Sequence, residues 1–182
     1  TLVEYVQKST GAILPIKTEQ MLQGTEGEFG DASRIYIGME KNTPNMEDIN
    51  DQGFVIYPHG NNITIVGPTV WGTLNGVYDF LERFVGVRWL MPGPAGEDVP
   101  QLTDVWVPKK EIRAEPDFTF RMISPLGGSP FHEHELQPLY EWAHYNKLQG
   151  KYNQTISFHH NLFELFPPET YGETNPEFYP NG

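Results

Sequence analysis

The sequence predicts an α+β fold, a mixed β-sheet with helices on one face, followed by a strand–helix–strand unit of a parallel sheet. Three observations carry this reading. Residues 67–100 read as a helix, a tight glycine turn and a strand, and both halves need a sheet to bury against. Two β-branched and aromatic runs, 53–57 and 63–67, flank Pro58-His59-Gly60-Asn61-Asn62, whose glycine and asparagines suit a hairpin turn. After Ala114-Glu115-Pro116-Asp117 a second set of elements begins: strand 118–123, helix 136–148, strand 155–159. Strands joined by a hairpin and strands joined through helices together imply mixed pairing.

In chain order, residues 1–10 carry Leu2, Tyr5 and Val6 on one helical face, with Gly11 placed to end the helix. Ala12-Ile13-Leu14-Pro15-Ile16 reads as a short strand, at an edge because Pro15 lacks a donor. Residues 17–32 are polar and glycine-rich, hence loop. Arg34-Ile35-Tyr36-Ile37-Gly38 reads as a buried strand. Residues 40–52, acidic and carrying Pro44, form a solvated connection. In the long helix, Leu74, Val77, Tyr78, Leu81, Phe84 and Val85 keep the i, i+3, i+4 rhythm, and Gly86 sits where a left-handed cap is wanted. Gly72-x-x-x-Gly76 permits close approach to the sheet. Val87-Arg88-Trp89-Leu90-Met91 and Val105-Trp106-Val107 read as strands, and the first layer is expected to end near Arg113. Leu136, Leu139, Tyr140, Ala143 and Tyr145 are apolar positions of the later helix.

Composition narrows the function classes. Acids outnumber bases, 24 to 12, for a net charge of −12, which argues against nucleic acid and anionic membranes because both need a basic surface. No apolar run approaches the roughly 18 residues of a membrane span. The absence of cysteine excludes disulfides and thiolate metal sites. Acidic, aromatic-rich and cysteine-free composition fits a bacterial periplasmic or secreted sugar-handling protein, and also fits many cytosolic enzymes.

The run Gly76-Val77-Tyr78-Asp79-Phe80-Leu81-Glu82, with Gly86-Val87-Arg88-Trp89, Pro92-Gly93 and Gly96-Glu97, resembles the accessory α/β domain that precedes the catalytic barrel in several glycoside hydrolases. These are the family 20 β-N-acetylhexosaminidases, the family 67 α-glucuronidases and a related uncharacterised family. Similarity to the last continues through Asn161-Leu162-Phe163-Glu164-Leu165-Phe166-Pro167-Pro168 and Asn175-Pro176-Glu177-Phe178. The resemblance implies an accessory domain over residues 1–113 and, over 114–182, the first βαβ unit of a (β/α)8 catalytic barrel. A complete barrel takes roughly 250 residues, so the chain reads as truncated.

Barrel enzymes place their sites at the C-terminal ends of strands, which makes Arg121 and the group His159, His160 and Asn161 the candidate substrate-binding residues. A guanidinium offers a planar fork of donors for vicinal hydroxyls or a carboxylate. In family 20 an arginine at the end of the first barrel strand binds the sugar, and Arg121 holds the matching place in Pro116-x-Phe118-x-Phe120-Arg121. The alternative for Arg121 is a pairing with an acid across the barrel mouth. Neutral imidazole donates and accepts hydrogen bonds, so histidine suits sugar pockets as well as strand capping. Strand alternation sends His159 and His160 to opposite sides; turning Ser157 inward favours His159, whereas the following loop could favour His160.

Phe131-His132-Glu133-His134-Glu135 carries two histidines two apart, which is not the HExxH zinc motif; a polar rim or a solvated loop is the expectation, with no metal and no cofactor. Glycoside hydrolysis needs two carboxylates about 5 Å apart for retention or roughly 6.5–9.5 Å for inversion. Glu97, Glu164 and Glu177 sit at no predicted barrel strand end, and the resembling families carry their acids on later strands. The expected function is therefore the N-terminal part of a hexosaminidase- or α-glucuronidase-like glycoside hydrolase, inactive as this fragment alone. Its expected partner is a carbohydrate substrate. Because a partial barrel leaves sheet edges open, the segment after residue 114 is expected either to be poorly ordered or to pack against another copy of the chain in a homo-oligomer. A non-catalytic carbohydrate-binding or assembly module is the rival, and a histidine-dependent metalloenzyme is a third reading.

Overall fold

The computed structural model describes residues 1–22, 31–39, 43–118, 120–121, 133–148 and 162–179. The chain divides into two compact units, Thr1–Gly150 and Lys151–Gly182.

The first unit is built on a hairpin. Strand β2 (Phe54–His59) pairs antiparallel with β3 (Asn62–Val66), in a register that sets Ile56 opposite Ile65 and His59 opposite Asn62. The strands run further than the sequence suggests, leaving Gly60 and Asn61 as the turn. Gly60 supplies the left-handed φ of 59° that a tight reversal needs. Strand β1 (Ile35–Ile37) pairs parallel with β3, and β6 (Ile112–Ala114) pairs antiparallel with β2. The order β1-β3-β2-β6 is a four-stranded mixed sheet, so the α+β class with a mixed sheet is what the chain adopts.

Helix α1 (Leu2–Thr10) ends at Gly11, whose N–H returns to Gln7 O at 2.8 Å. Helix α2 is one turn, Glu19–Leu22. Helix α3 (Val70–Phe80) starts at Thr69, where Oγ1 accepts the Gly72 N–H at 3.2 Å. From Leu81 to Val85 the winding widens to a π-helical turn, closed by Gly86 at φ 81°. Cross-strand partners share a face, and Phe54, Ile56 and Ile65 join Tyr5 and Val6 of α1 with Val77, Phe80 and Leu81 in one buried cluster. Gly76 lets α3 approach so closely that a Cβ there would lie 2.8 Å from Ile65 Cγ2. On the opposite face Val55, Thr64 and Val66 are fully buried. There Arg113 binds Asp48 Oδ1 at 2.8 Å and Asn45 O at 2.7 Å, drawing the 43–52 connection to the sheet.

Several expectations are corrected. Residues 12–16 form no strand: Pro15 interrupts the donors a ladder requires, and only Leu14 packs on the core. The 105–107 run is likewise irregular and stops at Pro108, while the strand that completes the sheet is β6, five residues later than Val107 at its start (Ile112). Strand β1 is an edge strand, with Ile37 50% exposed, not a buried one. The strand expected at 87–91 contracts to β4 (Arg88–Trp89) and pairs with β5 (Glu97–Asp98) in a separate two-stranded sheet.

Helix α4 (Glu133–Tyr145) begins before the expected position 136 and ends sooner, with Lys147 at φ 57° turning the chain. Tyr140 and Ala143 are buried, and Trp142 Nε1 donates to Trp89 O at 2.9 Å. This helix therefore docks on the N-terminal layer, and the first unit continues past the linker expected at 114–117. Phe118, Phe120 and Arg121 lie in no strand. Thr119, residues 122–123 and the strand expected at 155–159 lie outside the described residues, so the expected βαβ unit does too.

The second unit contains α5 (Leu162–Leu165), α6 (Pro168–Tyr171) and a 3-10 turn, Pro176–Phe178. The rings of Phe166, Tyr171 and Phe178 meet at 5.4–6.1 Å, and Tyr179 Oη donates to Phe166 O at 2.8 Å.

Candidate functional site

Arg121 lies in a groove of about 300 Å³ together with Gln52, Asn75, Asp79, Glu115 and Asn146. The segment leaving β6 carries it there, and α4 ends beside it. Its Nε donates to Lys147 O at 2.9 Å, Nη1 to Phe118 O at 2.6 Å and Nη2 to Gln52 Oε1 at 2.6 Å. One planar fork thus joins three segments: the start of β2, the chain after β6 and the end of α4. Burial lowers the guanidinium pKa from its ordinary value, a cost that these three acceptors offset by ordering the cation. Two of these three acceptors are main-chain carbonyls, so among the described residues the fork serves the fold.

Four other groups of the groove also hold structural partners. Asn75 Nδ2 donates to Gln52 O at 2.8 Å, fixing the entry to β2 against α3. Asp79, only 6% exposed, pairs with Arg83 one turn along the helix. Glu115 Oε2 accepts the Asn50 N–H at 2.9 Å, and Lys147 pairs with Glu82. The arrangement can orient hydroxyls and carboxamides along a polar wall. The carboxylates of Asp79 and Glu115 already serve as acceptors for the fold.

His159, His160 and Asn161 lie outside the described residues, as do His132 and the side chains of Glu133, His134 and Glu135. Among the described residues no group of three or more His, Asp or Glu side chains is placed to hold a metal ion. Nor is any described helix long and apolar enough to cross a membrane. Gln52 and Asn75 escaped the sequence reading. A signal existed for Asn75, an amide set between Leu74 and Gly76 on the face of α3 that meets the sheet. For Gln52 there was none, because its partner stands 69 positions away.

No family model matches this chain, and neither a curated protein nor a solved structure matches it.

Proposed function

We propose that the chain is the N-terminal part of a glycoside hydrolase, whose accessory α+β layer supports a barrel that continues after it. The observation that carries the reading is the 76–97 motif combination, which folds as a helix–turn–strand unit. Val77, Tyr78, Phe80, Leu81, Val85, Val87 and Trp89 from it supply more than half of the main buried cluster, where they pack with Phe54, Ile56 and Ile65 of the mixed sheet. In this reading Arg121, with His159 or His160 and Asn161, helps hold the non-reducing sugar. The cleavage itself is carboxylate acid/base chemistry from residues after Gly182. A periplasmic or secreted location belongs to the same proposal.

The test is turnover by the product of the complete reading frame on a panel of aryl glycosides and uronic-acid oligosaccharides. Release of the aglycone or of shortened oligosaccharide is expected, and absence of turnover on every member overturns the reading. The second reading, a non-catalytic carbohydrate-binding module, is favoured by one observation: Trp106 is 77% exposed and lines a groove other than that of Arg121.

A further inference from the structure

The four residues that leave β6, Glu115-Pro116-Asp117-Phe118, all line the Arg121 groove, and the structure pins them at both ends. Glu115 Oε2 accepts the Asn50 N–H at 2.9 Å, which ties the start of the segment to the chain before β2. The Phe118 carbonyl accepts Arg121 Nη1 at 2.6 Å, which ties its end. Between them the ring of Pro116 locks its own φ at about −65°. A segment fixed at its ends and in its middle presents its remaining side chains in one arrangement before any ligand arrives, and that lowers the ordering cost of binding.

Two side chains are left over from that scaffolding. The Phe118 ring is 73% exposed and, among the described residues, joins neither apolar cluster. Asp117 is exposed beside it, and among the described residues its carboxylate has no hydrogen bond or ion pair. The other ionisable side chains described in the lining are engaged: Asp79 with Arg83, Glu115 with Asn50, Lys147 with Glu82, and Arg121 with its three acceptors. An exposed phenyl alone needs no explanation. Here it flanks a concave surface, with a carboxylate one residue away. An aromatic face accepts the C–H face of a pyranose, and a carboxylate accepts charge-assisted hydrogen bonds from hydroxyls. At about 300 Å³ the groove stands at the lower end of the range usual for small-ligand sites, which suits a single sugar residue better than a polymer.

We propose that this groove binds one neutral pyranose residue, stacked on Phe118 with its hydroxyls donated to Asp117. Asp117 is also the specificity element. A uronic acid laid on the same ring brings its own carboxylate toward that of Asp117, and like charges at close range repel. The site therefore selects neutral glycosides over glucuronides, although the resemblance admits both. That the ligand is a saccharide rests on the glycosidase reading above; the ring platform and the neutral preference rest on Phe118 and Asp117.

The test is a titration of the 182-residue chain with the methyl glycosides of glucose, galactose, mannose and N-acetylglucosamine, and with methyl glucuronide and methyl galacturonide, followed by NMR at low salt. Saturable binding of at least one neutral glycoside is expected, with a Kd on the order of 1 mM and shifts at Asp117 and Phe118. Both uronides bind at least about fivefold more weakly. Phe118→Ala weakens the neutral glycoside by about tenfold, and Asp117→Asn removes its advantage over the uronides, each with an unchanged thermal melt because both side chains are exposed. The proposal is overturned by no saturable binding of any neutral glycoside, by a uronide that binds as tightly, by unchanged affinity in Phe118→Ala, or by an advantage that survives Asp117→Asn. Turnover by the complete protein without binding here sinks this site and leaves the glycosidase reading standing; binding here without turnover does the reverse.

Discussion

The indole Nε1 of Trp89 donates to Tyr5 Oη at 2.9 Å, joining the first helix to a strand 84 positions away. Tyr5 Oη donates onward to Glu97 Oε1 at 2.7 Å, and Lys8 Nζ reaches the other oxygen of that carboxylate at 2.9 Å. Around this relay the rings of Tyr5, Tyr78, Trp89 and Tyr145 meet largely edge-to-face at 4.9–6.2 Å. Burial pushes the Tyr5 hydroxyl above the ordinary phenol range, which keeps it protonated and able to donate.

Tyr5→Phe removes the acceptor from a buried indole N–H and the donor from Glu97. The expected loss is about 1–3 kcal/mol, the cost of a buried group left unsatisfied. Trp89→Phe should cost a similar amount, and the double variant less than the sum. Urea midpoints of the four proteins check this, and strict additivity would show that the relay does not couple the two elements.

Acidification should destabilise the first unit in two stages. Burial holds the His144 imidazole below its ordinary value, against the opposing charge of Glu141, and its Nε2 is buried without a hydrogen-bond partner among the described residues. A depressed histidine binds fewer protons folded than unfolded, so its contribution is present above pH ~6.5 and fades as pH falls. For Glu97, burial alone would raise the carboxyl, but the hydrogen bonds from Lys8 and Tyr5 outweigh it and leave it below 4.5. Its stabilisation is present above that value and is lost as pH falls further. Denaturation midpoints measured from about pH 8 to about pH 3 should show both stages, with the first absent in His144→Phe and the second reduced in Glu97→Gln.

In an exposed helix, glycine to alanine gains about 1 kcal/mol. Gly76→Ala should instead destabilise by roughly 1–3 kcal/mol, because the new Cβ meets Ile65 Cγ2 at 2.8 Å and Phe54 Cβ at 3.1 Å. Gly72→Ala should cost more, since its Cβ would strike the Gly53 carbonyl oxygen, which is main chain and cannot rotate away. Thermal melts of the two variants, ranked in that order below the parent, check the close approach of α3.

Arg121→Lys tests the three-way clamp. An ammonium on a flexible stem cannot serve Gln52, Phe118 O and Lys147 O in one plane. Amide exchange should quicken at residues 114–118 and 145–148 while Val55, Ile56 and Ile65 keep their protection. Unchanged exchange at both segments would mean the guanidinium does not hold them together.

The parts of the fold that were legible are those decided by neighbours in sequence. Gly11, the Gly60-Asn61 turn and Gly86 each mark a chain reversal that glycine alone makes inexpensive, and the hairpin and two long helices follow from them. Strand β6 was hidden because Ile112, Arg113 and Ala114 are too few to show alternation; the open edge of β2 makes them a strand. The apolar runs at 12–16 and 105–107 misled for the reason they stay irregular, a proline in or beside each. Arg121 stood out as a residue type, whereas its acceptors are assigned by tertiary closure, which no local spacing encodes.

The hairpin and the helix after it occupy residues 54–85 without interruption, so their contacts close short loops and are expected to form early. Helix α1 is different: it is synthesised well before its partner, and its tether to Glu97 spans 92 positions. A nascent chain therefore carries α1 without its partners until Glu97 and Leu102 have emerged, and α1 is the last piece of the layer to seat. Truncation or tagging at Thr1 should accordingly alter how fast the finished layer unfolds far more than how fast its hairpin forms.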